Sequence, residues 1–285
     1  MKDTTTEQDS QSEGTGEGWM HNRTTLILAI GFVVLVLVAA GGVAGSRLLG
    51  GGESSDRNQA GGNSQTATTT TSGATPTGFA PPSSDQLGRP VTRPNNLAGQ
   101  ALPQNPVPHG DYNCPAAPNC AVVDAPSGMM WQQVGPFTLP FSTSDGPARI
   151  DGPVAAGYTR TPQGAALAAW QIIWRLAMSR TYYDAVVPRQ VTGTAQDLDS
   201  LTPTKGNWDI SQKPAYFLRP SAFRLTSWDG SHAIIQYAVP QVGGSWFSMQ
   251  FDAIWVDGDW KLRAPGPTEN KVKTPVASLV GWTPW

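Results

Sequence analysis

The chain has 285 residues, 14% of them charged, with a formal net charge of -2. Residues 111–285 carry thirteen basic and thirteen acidic side chains, so this region has no surplus cation to neutralise phosphates and no nucleic-acid partner is expected. Eleven tryptophans, all but Trp19 beyond residue 130, give the same region enough apolar bulk for a core.

Residues 1–23 hold five acidic and two basic side chains among Thr, Gln, Ser and Gly. With almost no aliphatics they cannot repay the entropy of ordering, which predicts a disordered cytoplasmic tail. Thr24–Ser46 (TTLILAIGFVVLVLVAAGGVAGS) contains no charge. About 20 apolar residues cross a ~30 Å hydrocarbon core, where every amide must be paired within its own segment, so the run predicts a transmembrane helix. A cleaved signal peptide competes, but the run outlasts an ordinary apolar region and the tail before it is acidic, which favours a signal-anchor. Arg23 precedes the run while Arg47 and Arg57 follow, a count that leans towards a cytoplasmic C-terminus. The cysteine pair and uncharged spacer downstream point the other way, and we give them more weight. The expected protein is single-pass in the cell membrane, N-terminus cytoplasmic and C-terminal domain extracytoplasmic. Gly41 and Gly45 form a GxxxG spacing and are candidate helix–helix contacts through which a homo-oligomer would form.

Residues 47–110 read as a linker with two regimes. Gly50–Gly78 is rich in Gly, Ser and Thr and predicts a flexible coil, whereas Phe79–His109 has repeated X-Pro steps and predicts a stiffer, polyproline-like chain. Cys114 and Cys120, the only cysteines, lie in a Pro/Asn-rich loop and suit a disulfide in an oxidising compartment. Their spacing is not C-x2-C and the three histidines are scattered, so no metal site is expected.

Residues 111–285 predict one extracytoplasmic α+β domain. In GYTRTPQGAALAAWQIIWRLAM, Thr161 is the N-cap, Pro162 takes the first helical position, and Leu167, Trp170 and Trp174 share the core face. Tyr182–Val187 predicts a second short helix that Pro188 ends or kinks. Beyond Pro214 the period changes to two. Tyr216–Thr226, His232–Pro240, Trp246–Asp257 and Lys261–Arg263 read as antiparallel strands, joined at Asp229-Gly230, Gly243-Gly244 and Asp257-Gly258.

A helix followed by long antiparallel strands and a Trp-rich hairpin, WVDGDWKL at Trp255–Leu262, resembles the NTF2-like cone, in which N-terminal helices pack on a curved sheet. Gly157–Trp170 is similar to the opening helix of membrane-anchored proteins of actinobacterial conjugative elements. The combined layout resembles the VirB8 and TcpC-like subunits of type IV secretion and conjugation machines, and Mce-associated membrane proteins share it. The resemblance implies an assembly subunit whose partners are other envelope or secretion-machine proteins. A pocket in such a cone would draw on Tyr182, Tyr183, Asp184, His232 and Asp252, the basis of an alternative reading as a ligand-binding or enzymatic domain.

No shielded acid beside a base, no G-x-S-x-G serine and no phosphate loop accompanies those residues, so no enzyme activity and no cofactor are expected. Trp282 and Trp285 are candidate partner contacts, with folding back onto the domain as the competing expectation. The function expected is that of a membrane-anchored structural subunit acting through protein–protein contacts.

Overall fold

Helix α1 (Pro162–Leu176) begins where its capping chemistry dictates. Thr161 is extended, its Oγ1 accepts from Gly164 N at 2.9 Å, and Pro162 sits in the first turn, where no amide is required. In this computed structural model, which describes residues 76–114, 120–199, 201, 207–212, 218–241, 244–266 and 274–285, fourteen of the fifteen helical residues are buried. A helix buried on all sides is enclosed rather than laid on a surface.

One sheet touching α1 has the order β1 (Phe79–Ser84), β2 (Pro90–Pro94), β3 (Met130–Val134), β4 (Phe137–Phe141). β2 and β3 run parallel and the other neighbours antiparallel. The edge strand β1 carries Pro81 and Pro82 where its register slips, a place where missing amides interrupt no ladder. β4 is buried at all five positions.

The larger sheet is built on β8 (Ala222–Trp228), β9 (His232–Pro240), β10 (Trp246–Val256) and β11 (Asp259–Arg263). β7 (Val191–Thr192) adds to β11, β12 (Thr274–Val276) to β10 and β13 (Thr283–Pro284) to β8. β9 and β10 are in register from Trp246↔Pro240 to Ile254↔His232. Because side chains alternate, Tyr237, Phe251 and Ala253 share one face. Trp170 of α1 meets that face, 5.0 Å from Tyr237 and 6.3 Å from Phe251, and the Tyr237 hydroxyl donates to Ala166 O at 2.8 Å. Each such side chain contributes about 1.5–3 kcal/mol when fully buried. Asp257 adopts φ 55° beside Gly258 at φ 78°, the left-handed pair that a tight hairpin requires.

The remaining elements are a hairpin of β5 (Arg149–Asp151) and β6 (Val154–Ala156), and helices α2 (Arg180–Gln190) and α3 (Ala195–Asp199). α2 continues two residues past Pro188. Buried Val186, Val187 and Gln190, whose Nε2 donates to Ala155 O at 2.6 Å, hold its last turn despite the amide that proline lacks.

These observations correct the expected fold class. Among the described residues the fold is strand-dominated, 38% strand against 17% helix, and no NTF2-like cone of helices packed on one curved sheet is evident. α1 is enclosed because a second sheet meets it, and that sheet draws on residues assigned from sequence to the linker. Phe79–Pro94 forms β1 and β2, while Val91, Ala98 and Leu102 are buried, so the folded body includes residues ahead of 111. No helix among the described residues is long and apolar enough to cross a membrane. The predicted transmembrane helix at Thr24–Ser46, with Gly41 and Gly45, lies outside the described residues.

Candidate functional site

The densest polar chemistry lies at the N-terminus of α1, around a fully buried carboxylate. Leaving β4, the chain turns through Ser142–Gly146, closed by Ser142 N donating to Gly146 O at 2.8 Å. Ser142 Oγ accepts from the amides of Ser144 and Asp145 at 3.0 and 3.1 Å and donates to Ser127 O at 2.7 Å. This Ser/Thr turn chemistry aims Asp145 inward. Asp145 Oδ1 accepts from Thr159 Oγ1 at 2.6 Å and Thr161 Oγ1 at 2.8 Å, and Oδ2 accepts from Ser144 Oγ. His109 Nε2 lies 3.2 Å from Oδ1.

The other ring nitrogen fixes the imidazole's state. Gln163 Nε2, which can only donate, reaches His109 Nδ1 at 3.2 Å and Asp124 O at 2.9 Å. Nδ1 therefore accepts, and in the neutral ring the proton is on Nε2, donated to Asp145. An Asp–His pair is the orienting half of a nucleophile-activating triad. Here the nitrogen that would face a nucleophile is held by Gln163, and Ser144 bonds to the carboxylate rather than to the imidazole. The arrangement ties residues 109, 124–127, 142–145 and 159–163 into one knot. Gln163 Oε1 is buried with no hydrogen-bond partner among the described residues.

A second buried charge lies near the other end of α1. Arg175 is fully buried and bonds to neutral oxygens: Gln171 Oε1 at 2.7 Å, Ala98 O at 2.8 Å and Pro153 O at 3.1 Å. Gln171 Nε2 in turn donates to Pro140 O at 2.7 Å. Burial pulls the Arg175 guanidinium below its ordinary pKa. Burial likewise pushes the Tyr158 hydroxyl far above its usual range, opposed by the nearby Arg175 charge.

The residues picked from sequence go elsewhere. Tyr182, Tyr183 and Asp184 are on α2. Burial raises the Tyr182 hydroxyl, Tyr183 Oη donates to Leu198 O at 3.2 Å, and Asp184 pairs with Arg180 on the exposed side. His232 and Asp252 do meet, as His232 Nε2 bonds to Asp252 Oδ1 while Arg263 Nε donates to Oδ2. The Asp252, Arg263 and His232 side chains are 13%, 35% and 36% exposed, so solvent screens the trio. Cys114 and Cys120 lie at disulfide distance, and Cys114 O accepts from Trp228 N at 2.8 Å. Trp282 is 6% exposed and Trp285 packs against the core, so both fold back onto their own domain. Among the described residues no group of three or more His, Cys, Asp or Glu is placed to hold a metal ion.

Sequence reading passed over Asp145, Gln163 and Arg175. The signal for the first was local: STSDGP directly after an apolar strand, followed by T-x-T-P at a helix start, is a turn and a cap sharing one carboxylate. Arg175 reads as an ordinary flexible cation, because its partners Ala98 and Pro153 are distant in sequence.

Fold and site together define a two-sheet, helix-centred domain fastened by two buried charged groups. The chain belongs to the family described as Domain of unknown function (DUF8175), whose model matches residues 92–284. The match starts within β2, ahead of the sequence-assigned domain start at 111. No curated protein and no solved structure matches the chain.

Proposed function

We propose that this protein is a membrane-anchored assembly module, non-enzymatic, which presents a rigid extracytoplasmic domain to other envelope proteins. The observation that carries this reading is the inward turn of the polar chemistry. Both nitrogens of His109 and both oxygens of Asp145 are engaged by the chain's own groups, so the pair serves to hold segments together. The charge-free run Thr24–Ser46 supports attachment to a bilayer, and the Cys114–Cys120 pair supports an oxidising setting for the domain. A conjugation or type IV secretion apparatus is the setting suggested by the Gly157–Trp170 resemblance.

The test uses tagged full-length chain in intact cells, with covalent capture before lysis. The expected result is co-purification with envelope proteins and loss of those partners when residues 1–46 are removed. Unchanged partners after that deletion, with the truncated chain folded and released from the membrane, would sink the reading.

A further inference from the structure

The knot at the start of α1 contains an amide with one end used twice and the other end idle. Gln163 Nε2 donates to His109 Nδ1 at 3.2 Å and to Asp124 O at 2.9 Å, while Gln163 Oε1 is buried without a hydrogen-bond partner among the described residues. A backbone carbonyl can only accept, so Asp124 O decides which end of the amide faces the ring. That orientation suits a neutral imidazole alone. The His109 side chain is 14% exposed against 0% for Asp145, so protons reach the ring while its carboxylate partner stays enclosed. A proton on Nδ1 would meet an N–H, two donors with no acceptor between them. Turning the amide over removes the conflict, because Oε1 then accepts from Nδ1. The same turn withdraws Nε2 from Asp124 O.

We propose that Gln163 is a two-position latch worked by His109: with the ring neutral it holds Asp124, and with the ring protonated it turns over and lets Asp124 go. The Asp145 carboxylate, 3.2 Å from Nε2, favours the charged ring, whereas the bond to Asp124 O opposes it. Thr159, Thr161 and Gln163 bring no charge to the ring. Arg160 is exposed and donates to Gly230 O and Ser231 Oγ, Asp259 accepts from the Gly157 and Tyr158 amides, and Asp111 and Asp124 are exposed. Among the described residues, Asp145 is therefore the charged group bonded to the imidazole. Release follows proton uptake, so it occurs as pH falls and reverses as pH rises. The stretch let go has both ends fastened: Val123 O accepts from Thr283 Oγ1 at 2.7 Å, and Ser127 N donates to Ser144 Oγ at 2.9 Å. Opening is thereby confined to residues 124–126. The latch rests on the hydrogen bonds of the knot alone and requires neither a membrane nor a partner.

The test follows hydrogen exchange in the full chain from about pH 8 to about pH 5, the range over which an imidazole changes charge, with rates corrected for the intrinsic effect of pH. Protection in a peptide covering 121–127 should fall several-fold across that range and return when the pH is raised, while β9 stays unchanged. Constant protection at 121–127 would overturn the proposal. His109→Gln replaces the ring by an uncharged amide with a donor for Asp145 and an acceptor for Gln163. The acid-linked fall should vanish in that variant, and a fall of equal size there would also overturn the latch. Gln163→Met keeps the side chain's approximate shape and removes both of its positions, so it serves even where His109→Gln does not fold. Protection at 121–127 should then be low at every pH, and an acid-linked fall that persists without the amide would show that the latch does not exist.

Discussion

The two ends of α1 solve one problem in different ways. At its N-terminus a buried carboxylate is surrounded by hydroxyls and an imidazole from nearby turns. Near its C-terminus a buried guanidinium is surrounded by carbonyl oxygens, two of them from distant segments. Both charges have the sign that suits the helix dipole, negative at the start and positive in the last turn. The difference is one of reach: Asp145 organises a local knot, whereas Arg175 fastens otherwise separate pieces of chain to the helix.

If that contrast is right, Arg175→Ala should be the most damaging single change. It strands Ala98 O, Pro153 O and Gln171 in the interior and opens a void, at a cost of about 3–5 kcal/mol from the unmatched acceptors and the cavity together. Chemical denaturation should also show β1 and β2 losing hydrogen-exchange protection ahead of the larger sheet. Uniform loss would mean that Arg175 does not selectively hold the N-terminal strands.

Asp145→Ala comes next, at about 3 kcal/mol, since it leaves three hydroxyls without their charged acceptor. Exchange protection should fall at residues 142–146 and 159–164 while β1 and β2 stay protected. Thr161→Ala separates the cap from the knot. The lost Gly164 bond costs about 1 kcal/mol, and any excess over that in thermal melts reports the bond to Asp145.

The smallest effect is expected at an exposed carboxylate, a foil for the buried one. Asp229 accepts from the amides of Ser231 and His232, which hold its carboxyl below the usual carboxylate range. A depressed folded pKa stabilises above the unfolded value, and that stability disappears as pH falls through the folded value. Asp229→Ala should therefore change stability slightly at neutral pH and flatten the acid limb of the stability curve. An unchanged acid limb would show that these two amide bonds contribute no folding linkage.

Legibility from sequence followed the same division between local and distant partners. The start of α1 was readable because Thr161 and Pro162 act within one turn. The extents of β9 and β10 were readable because period-two patterning and Asp-Gly turns are short-range signals. β1 and β2 were not, since their prolines imitate a polyproline linker. Their antiparallel pairing with each other, and the parallel contact of β2 with β3 through Thr92↔Gln132, turn that stretch into sheet. The NTF2-like expectation failed for this reason: the second sheet that meets α1 begins in a segment that carries no strand signal of its own. Of the candidate site, the Thr161 cap was visible and its carboxylate was overlooked. The Arg175 clamp leaves only Gln171, four residues earlier, as a local mark.

That clamp also sets how the domain would carry tension. A pull on the chain ahead of Thr77 would first peel β1 from β2, an antiparallel pair whose rungs open in succession. Beyond Pro94 the pull would reach Ala98, whose carbonyl is held by Arg175 in the buried helix. Extension would then have to break that bond and, two residues on, the paired bonds between Gln100 and Gln132, so the hairpin acts as a shock absorber and the guanidinium as the stop behind it.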